Sequence, residues 1–297
     1  MTYNNKFNLK DHITKVKSKT EAAYQTIISL LGNEEFQKIE MSTIWKLVET
    51  CITPIITYGC EAWTINKTDE KTLNQILDAI IKRILRVPLG TPREALYIET
   101  NLLPVSAIIE KKKLNMYYRI AKNQNLMTRW LVNEPETEWK KDIKKILKKY
   151  HIQDDMLLRM TPDAAKRYIR KQIQKVNRRE MFKRTEKSKI QYLIDGYIGN
   201  QKATYTNNLN RQQTNTLFKA RTRMLNIKGN YKNKYVNQTC RLCKTCPETQ
   251  THILEECIET RRKNLTICKN LLFTNNKTIQ LEIIRKIEEI LELLIKE

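Results

Sequence analysis

The sequence predicts a mostly α-helical protein, made of a helical bundle, a basic helical connector and a small module stapled by an ion. Three observations predict it. Only six Gly and seven Pro occur in 297 residues, so helix breakers are scarce. Apolar residues recur at steps of three and four over most of the chain. Four metal-seeking side chains, Cys240, Cys243, His252 and Cys257, crowd the run CRLCKTCPETQTHILEEC.

The elements follow in order. Residues 12–31 place Ile13, Val16, Thr20, Ala23, Ile27 and Leu30 on one helical stripe, with Lys15, Lys17 and Lys19 off it. Residues 41–59 carry Ile44, Trp45, Val48, Cys51, Ile52 and Ile55. Pro54 predicts a kink or break there, because its ring crowds the preceding turn and it has no N–H. Residues 69–86 form an amphipathic helix with Leu73, Ile76, Leu77, Ile80, Ile81, Ile84 and Leu85 on one side. Lys82, Arg83 and Arg86 stand at its end, where cations suit the helix dipole. Two prolines and a glycine in VPLGTPREAL break the pattern, and Pro104 opens a helix over 104–121.

Residues 140–189 hold 18 Lys and Arg against 6 Asp and Glu. Lysine pairs flank Ile143, Ile146 and Leu147, and KRYIRKQIQKVNRREMFKR repeats the arrangement around Tyr168, Ile169, Ile173, Val176 and Phe182. A laced, solvated face would intersperse acids. The one-sided sign points to contact with a polyanion through Lys144, Lys145, Lys148, Lys149, Arg167, Arg170, Lys171, Arg178 and Arg179. Residues 196–216, rich in Asn, Gln, Thr and Gly, read as a linker. The following stretch adds Arg221 and Arg223, with Tyr231 and Tyr235 able to stack on bases or to pack beneath the metal turn. Residues 279–297 close the chain with Ile283, Ile284, Ile287, Ile290, Leu291 and Leu294 on one stripe, which either docks on the body or self-associates. The expected regions are therefore a helical region at 1–125, the basic connector at 126–195, the linker at 196–216, the metal module at 217–275 and an amphipathic helix at 276–297.

The spacing Cys-x2-Cys-x8-His-x4-Cys supplies three thiolates and an imidazole, the ligands of a closed tetrahedral zinc site. Such a site leaves no open coordination position, so Zn2+ here is expected to be structural. Cys243 and Cys246 make a second legal pair, so Cys246 is an alternative to Cys240; Pro247 favours Cys240 by turning the chain away. A gap of five separates His252 from Cys257, which points their side chains well apart on an ideal α-helix. The helix must end or distort for both to bind.

Formal net charge is +23 and the pI is about 9.7, an excess that points to nucleic acid first and an anionic membrane surface second. No apolar run reaches transmembrane length, and MTYNNKFNLKDH lacks the apolar stretch of a signal peptide. The expectation is an intracellular protein, nuclear in a eukaryote, with DNA or RNA backbone as its partner and no membrane. Seven cysteines, four of them clustered with a His, suit reduced thiols and metal better than disulfides.

Three segments together resemble the C-terminal part of a non-LTR (LINE-type) retrotransposon reverse transcriptase. LKDHITKVKSKTEAAY, at Leu9 to Tyr24, resembles the helix that follows the polymerase palm. The run from Cys51 to Val87 is similar to the thumb, in which an apolar stretch with Pro leads to Tyr-Gly-x-Glu-x-Trp, here Tyr58, Gly59, Glu61 and Trp63. The third is the Cys-Cys-His-Cys module preceded by Arg221 and Arg223. The resemblance covers most of the chain and implies a thumb-like bundle that holds a template–primer duplex, with a module that grips DNA or RNA.

The catalytic part of that family has no counterpart here. Nucleotidyl transfer needs carboxylates that hold two Mg2+ ions, which the family carries as Tyr- or Phe-x-Asp-Asp. The adjacent pair in this chain, Asp154 and Asp155, has Ile152 where the aromatic belongs and reads as surface acids between basic helices. Cys51 and Cys60 read as buried core thiols, and His12 and His151 as structural or solvated. No glycine-rich phosphate loop is present, and no catalytic residue is assigned. The expected function is a nucleic-acid-binding fragment of an RNA-directed DNA polymerase that does not polymerise by itself. The rival expectation is a structural protein that assembles through its C-terminal helix.

Overall fold

The computed structural model describes residues 9–63, 65–123, 137–185, 191–197, 202–231 and 237–296. Tyr235, connector residues 126–136 and 186–190, and residues 198–201 of the expected linker lie outside the described residues. Among the described residues all regular structure is helical, with isolated bridges at Glu40–Asn210 and Thr239–Pro247. None of these helices is long and apolar enough to cross a membrane. The chain divides into two compact units: residues 1–27, 47–80 and 102–181 form one, and residues 28–46, 81–101 and 182–297 the other.

The first unit is built on amphipathic helices whose stripes were evident in the sequence. It contains α7 (Val105–Lys122), α1 (Lys10–Leu31) up to residue 27 and α5 (Lys67–Leu85) up to residue 80; the ends of α1 and α5 belong to the second unit. The helix Met41–Leu47 (α3), in the second unit up to residue 46, continues through a π-turn at Val48–Ile52 into Thr53–Ile56 (α4) of this unit. The wide turn lies just before Pro54, where an α-turn would press the proline ring against the carbonyl four residues back. Cys60 is buried as expected, whereas Cys51 is exposed. Its place in the π-turn takes its side chain off the buried stripe.

Helices α8 (Glu138–Lys149), α9 (Asp154–Arg159) and α10 (Pro162–Thr185) form the basic region. Ile143, Ile146, Leu147 and Tyr150 fall at helical spacing and pack with Leu114, Tyr117 and Tyr118 of α7 and with Ala165, Ile169 and Ile173 of α10. Thr137 caps α8 by accepting the Lys140 N–H. Polar groups at the margin of this core are paired. Tyr117 donates to Asp154 at 2.7 Å, Asn177 donates to the Tyr150 hydroxyl at 3.1 Å, and buried Lys113 meets Asp142 at 2.5 Å.

The Tyr58–Trp63 segment folds into a tight corner. Gly59 has a φ of 68°, the left-handed region that disfavours a side chain. The corner drives Trp63 into the interior, where the His12 ring meets it edge-on with centroids 5.3 Å apart. The Glu61 carbonyl accepts the Trp139 indole N–H at 2.9 Å. His12 is buried, and among the described residues its Nε2 has no hydrogen-bond partner.

The second unit closes around an ion pair. Helix α6 (Arg93–Thr100), which starts within the segment expected to be a break, places Glu99 fully out of water. Arg221, the last residue of α13 (Arg211–Arg221), faces it at 3.3 Å and is also fully buried. Tyr197 and Tyr205 both donate hydroxyls to the Glu99 carboxylate. The Arg221 guanidinium lies 4.5 Å from the Phe273 ring centre, 4.7 Å from Tyr205 and 5.1 Å from Tyr197. Arg221 was expected to hold phosphate. It cannot, because three rings and a carboxylate enclose it, whereas Arg223 is exposed and stacks on Tyr192 at 4.3 Å.

Residues 202–216, expected as part of a linker, are instead packed structure. Helix α12 (Tyr205–Asn208) and the start of α13 lie there, and Tyr205, Thr206, Leu209 and Thr214 are buried. The amide side chains act as caps: Asn210 and Gln213 form a capping box. Arg211 donates to the carbonyls of Ile84 and Arg83, which end α5, at 2.6 and 2.8 Å. The C-terminal stripe docks: Ile283, Ile284, Ile287, Ile290 and Leu294 of α16 (Lys277–Lys296) are buried within this unit, while Ile295 stays 76% exposed.

Two outcomes follow from buried charge. Burial, then nearby positive charges including Lys19 and Lys15, lowers the His12 pKa from its usual 6.5. The unfolded chain takes up that proton below 6.5 and the folded chain resists it, so stability is full above 6.5 and falls as acid is added. His12→Phe flattens the slope of unfolding free energy against pH between about 7.5 and 5.5, read by urea denaturation; an unchanged slope would refute the assignment. Arg221→Met strands Glu99 and destabilises the second unit by about 3–5 kcal/mol, while adding Glu99→Gln recovers part of the loss. Thermal melts of the single and double variants measure both effects.

Candidate metal centre

The expected ligands converge. The ligand atoms of Cys240, Cys243, His252 and Cys257 all lie within 4.8 Å of one another. The Cys243 sulfur stands 3.3 Å from His252 Nε2. Ligands 2.0–2.3 Å from a tetrahedral ion sit about 3.5–3.8 Å from each other, so these atoms enclose a space of ionic size. Cys240, His252 and Cys257 are buried and Cys243 is half-buried. Among the described residues no other group of three or more His, Cys, Asp or Glu gathers in this way.

Local chain geometry brings each ligand in. A hairpin-like turn carries Cys240 and Cys243, closed by Cys240 N–H to the Cys246 carbonyl at 2.8 Å and by Glu248 N–H to the Gln238 carbonyl at 2.7 Å. Cys246 therefore contributes its backbone to the turn and leaves its thiol exposed, and it is Cys240 that joins the cluster. Lys244 takes a φ of 58°, bending the chain back past Cys243. The His252–Cys257 gap is closed by a π-turn over His252–Glu256, in which Cys257 N–H donates to the His252 carbonyl at 2.7 Å. In an α-helix five steps separate two side chains by about 140° around the axis. The wider turn brings the fifth residue back over the first, and the chain then leaves the helix at Cys257, whose ψ is 128°.

A second tier fixes the turn. Glu248 is fully buried and accepts the N–H of Lys228 and of Arg241, both at 2.9 Å. The Arg241 guanidinium meets the same carboxylate at 2.7 Å. Burial pushes the Glu248 pKa up, and these donors outweigh it and hold the carboxylate below its usual range. Arg241 also donates to the Leu294 carbonyl at 2.9 Å, tying the turn to the end of α16. Gly229 donates to the Glu248 carbonyl, and a Cβ there would stand 2.7 Å from that oxygen, so only glycine fits. Neither Glu248 nor Arg241 was singled out from the sequence; an Arg lodged between two ligand cysteines was the available signal.

The electrostatics favour a thiolate at Cys243. Burial raises its pKa, but the Thr245 hydroxyl, the N–H groups of Cys246 and Thr245, and His252 bring it down to about 5. Cys240 is pushed up to about 12, by burial first. A cation among these sulfurs would favour the thiolate at each. His252 Nε2 stands 3.3 Å from the Cys243 sulfur, while its Nδ1 lies 4.0 Å from the exposed Glu256 carboxylate, beyond hydrogen-bond distance.

The expected polyanion contacts lie apart from this centre in sequence. Lys144, Lys145, Lys148, Arg167, Arg170, Lys171 and Arg179 are exposed on α8 and α10, and Arg178 is half-buried. Lys149 is exposed but bound to both Glu110 oxygens at 2.8 Å. Tyr231 is half-buried, and its hydroxyl donates to the Met224 carbonyl at 3.1 Å.

No family model matches this chain, and neither a curated protein nor a solved structure matches it.

Purified protein is expected to carry one metal equivalent by elemental analysis. Cys243→Ser abolishes it, whereas Cys246→Ser keeps it.

Proposed function

We propose that this chain holds a nucleic-acid backbone, and that it corresponds to the thumb and Cys-Cys-His-Cys module of a non-LTR retrotransposon reverse transcriptase. The observation that carries the reading is the face of exposed cations on α8 and α10, backed by the net charge of +23. The apolar sides of both helices are spent on the core, so the charged sides are what remains for a partner. Phosphates recruit such faces by releasing condensed counterions, with little dependence on base sequence.

The ion is Zn2+, and its role is structural. Three sulfurs and one imidazole suit zinc, and four protein ligands leave no place for substrate. The Tyr58–Trp63 corner supports the thumb resemblance, since Gly59 and Trp63 each have a backbone or packing reason for their identity. The resemblance supplies no palm, so primer extension is not expected of this chain. The working place of such a protein is inside the cell, in a eukaryote the nucleus, with DNA or RNA as partner and no membrane. Assembly through the C-terminal helix is the weaker reading, because its apolar stripe is already covered.

Gel-shift titrations of duplex DNA and of RNA–DNA hybrid at two salt concentrations test the proposal. Binding should collapse as salt rises. The pair Lys145→Gln with Lys148→Gln should lower the slope of log affinity against log salt by about 1–2. Salt-independent binding, or none in dilute buffer, would sink it.

A further inference from the structure

The run that forms the metal centre carries one sulfur that the centre does not use. Cys240, Cys243 and Cys257 join His252 in the cluster, while Cys246 stands outside it with its thiol exposed. Cys240 and Cys257 are buried, so half-buried Cys243 is the cluster sulfur most open to solvent. The exposed thiol and the accessible ligand are three residues apart.

The turn folds these two together. The Thr245 hydroxyl lies 3.2 Å from the Cys243 sulfur and 3.7 Å from the Cys246 sulfur, so one oxygen is within reach of both. The Cys246 N–H is itself directed at the Cys243 sulfur. Lys244, between them, takes a φ of 58°, and the chain bends through residues 244–246. A turn of four residues brings its end Cα atoms within about 7 Å, the separation that a disulfide spans. The frame is tied from behind: the Cys246 carbonyl accepts the Cys240 N–H at 2.8 Å, and the Cys240 carbonyl accepts the Lys244 N–H at 3.0 Å.

We propose that Cys246 is an oxidation site through which a hydroperoxide opens the metal centre by joining Cys246 to Cys243. The inference rests on the ligand set described above. The Cys246 thiol becomes a sulfenic acid as the peroxide O–O bond breaks and water leaves. The Cys243 thiolate then attacks the Cys246 sulfur; the S–S bond forms, the S–O bond breaks and hydroxide departs. One peroxide has taken two electrons from two thiols. The disulfide removes Cys243 from the ligand set, and three ligands no longer close the site. Glu248 and Arg241 hold the turn without any sulfur, so the frame outlasts the change and a dithiol reductant restores the site.

The test uses the full metal-loaded chain, hydrogen peroxide and a chromophoric chelator that reports released metal, with peptide mapping by mass spectrometry. Peroxide is expected to release metal from the parent, and the map to show a Cys243–Cys246 bond. Dithiothreitol with added Zn2+ then restores the metal content. Cys246→Ser keeps its metal before oxidation and releases it about tenfold more slowly in peroxide. Cys268→Ser, which removes another exposed thiol, releases it at the parent rate. Parent-rate release from Cys246→Ser would overturn the proposal. So would retention of metal by the parent in peroxide, a disulfide mapped to Cys240, Cys257 or Cys268, or Cys243 oxidised with no disulfide. A parent purified without metal would overturn the ligand set itself, which separates that failure from this one.

Discussion

The ion pair between Glu99 and Arg221 is the constraint on which the second unit turns. Its members and enclosing rings come from five places in the chain: Glu99, Tyr197, Tyr205, Arg221 and Phe273. Desolvating two charges costs several kcal/mol each, and Coulomb attraction returns that only with good geometry and satisfied neighbours. Here two phenol donors complete the carboxylate, while the guanidinium nitrogens have three ring faces around them but no hydrogen-bond partner among the described residues. An arrangement with so many conditions tolerates few alternatives. The segments that meet them are fixed in register, although α6 and α12 are too short to be stable alone.

The metal turn rides on that fixed point. Gln250 donates to the Ala220 carbonyl at 2.6 Å, one residue before Arg221. Residues 222–229 then run from α13 to Gly229, which lies against the Glu248 carbonyl. Glu248 in turn collects Lys228 and Arg241, and Arg241 reaches the last turn of α16. A short module with little core of its own gains its rigidity from buried charge, and a metal ion held by the four converging side chains would add to it. The same chain of contacts accompanies the burial of the C-terminal stripe inside the unit.

Much of the fold could be read from the sequence because its helices are amphipathic. The stripes of α1, α5, α8, α10 and α16 have the period that side-chain burial imposes. The metal ligands were legible because thiolate and imidazole chemistry leaves few alternatives at that spacing, and the need for a distortion before Cys257 followed from helix geometry. Helix α6 was not legible: every residue from Ala95 to Thr100 is buried, so no polar side marks a period, and two prolines precede it. Residues 202–216 misled because Asn and Gln serve equally in loops and as caps. Arg221 misled for a related reason. A cation's neighbours in sequence do not reveal whether its partner is phosphate or a carboxylate 122 positions earlier.

The π-turn at His252–Glu256 has a bearing on descent. Its extra residue per turn is what superposes the two ligands, so the four positions between them behave as a fixed-length insert. Related chains can exchange side chains at Glu255 and Glu256, outside the buried Ile253 and Leu254, far more freely than they can gain or lose a codon there. Conserved length, more than conserved identity, is the trace this centre would leave in a lineage.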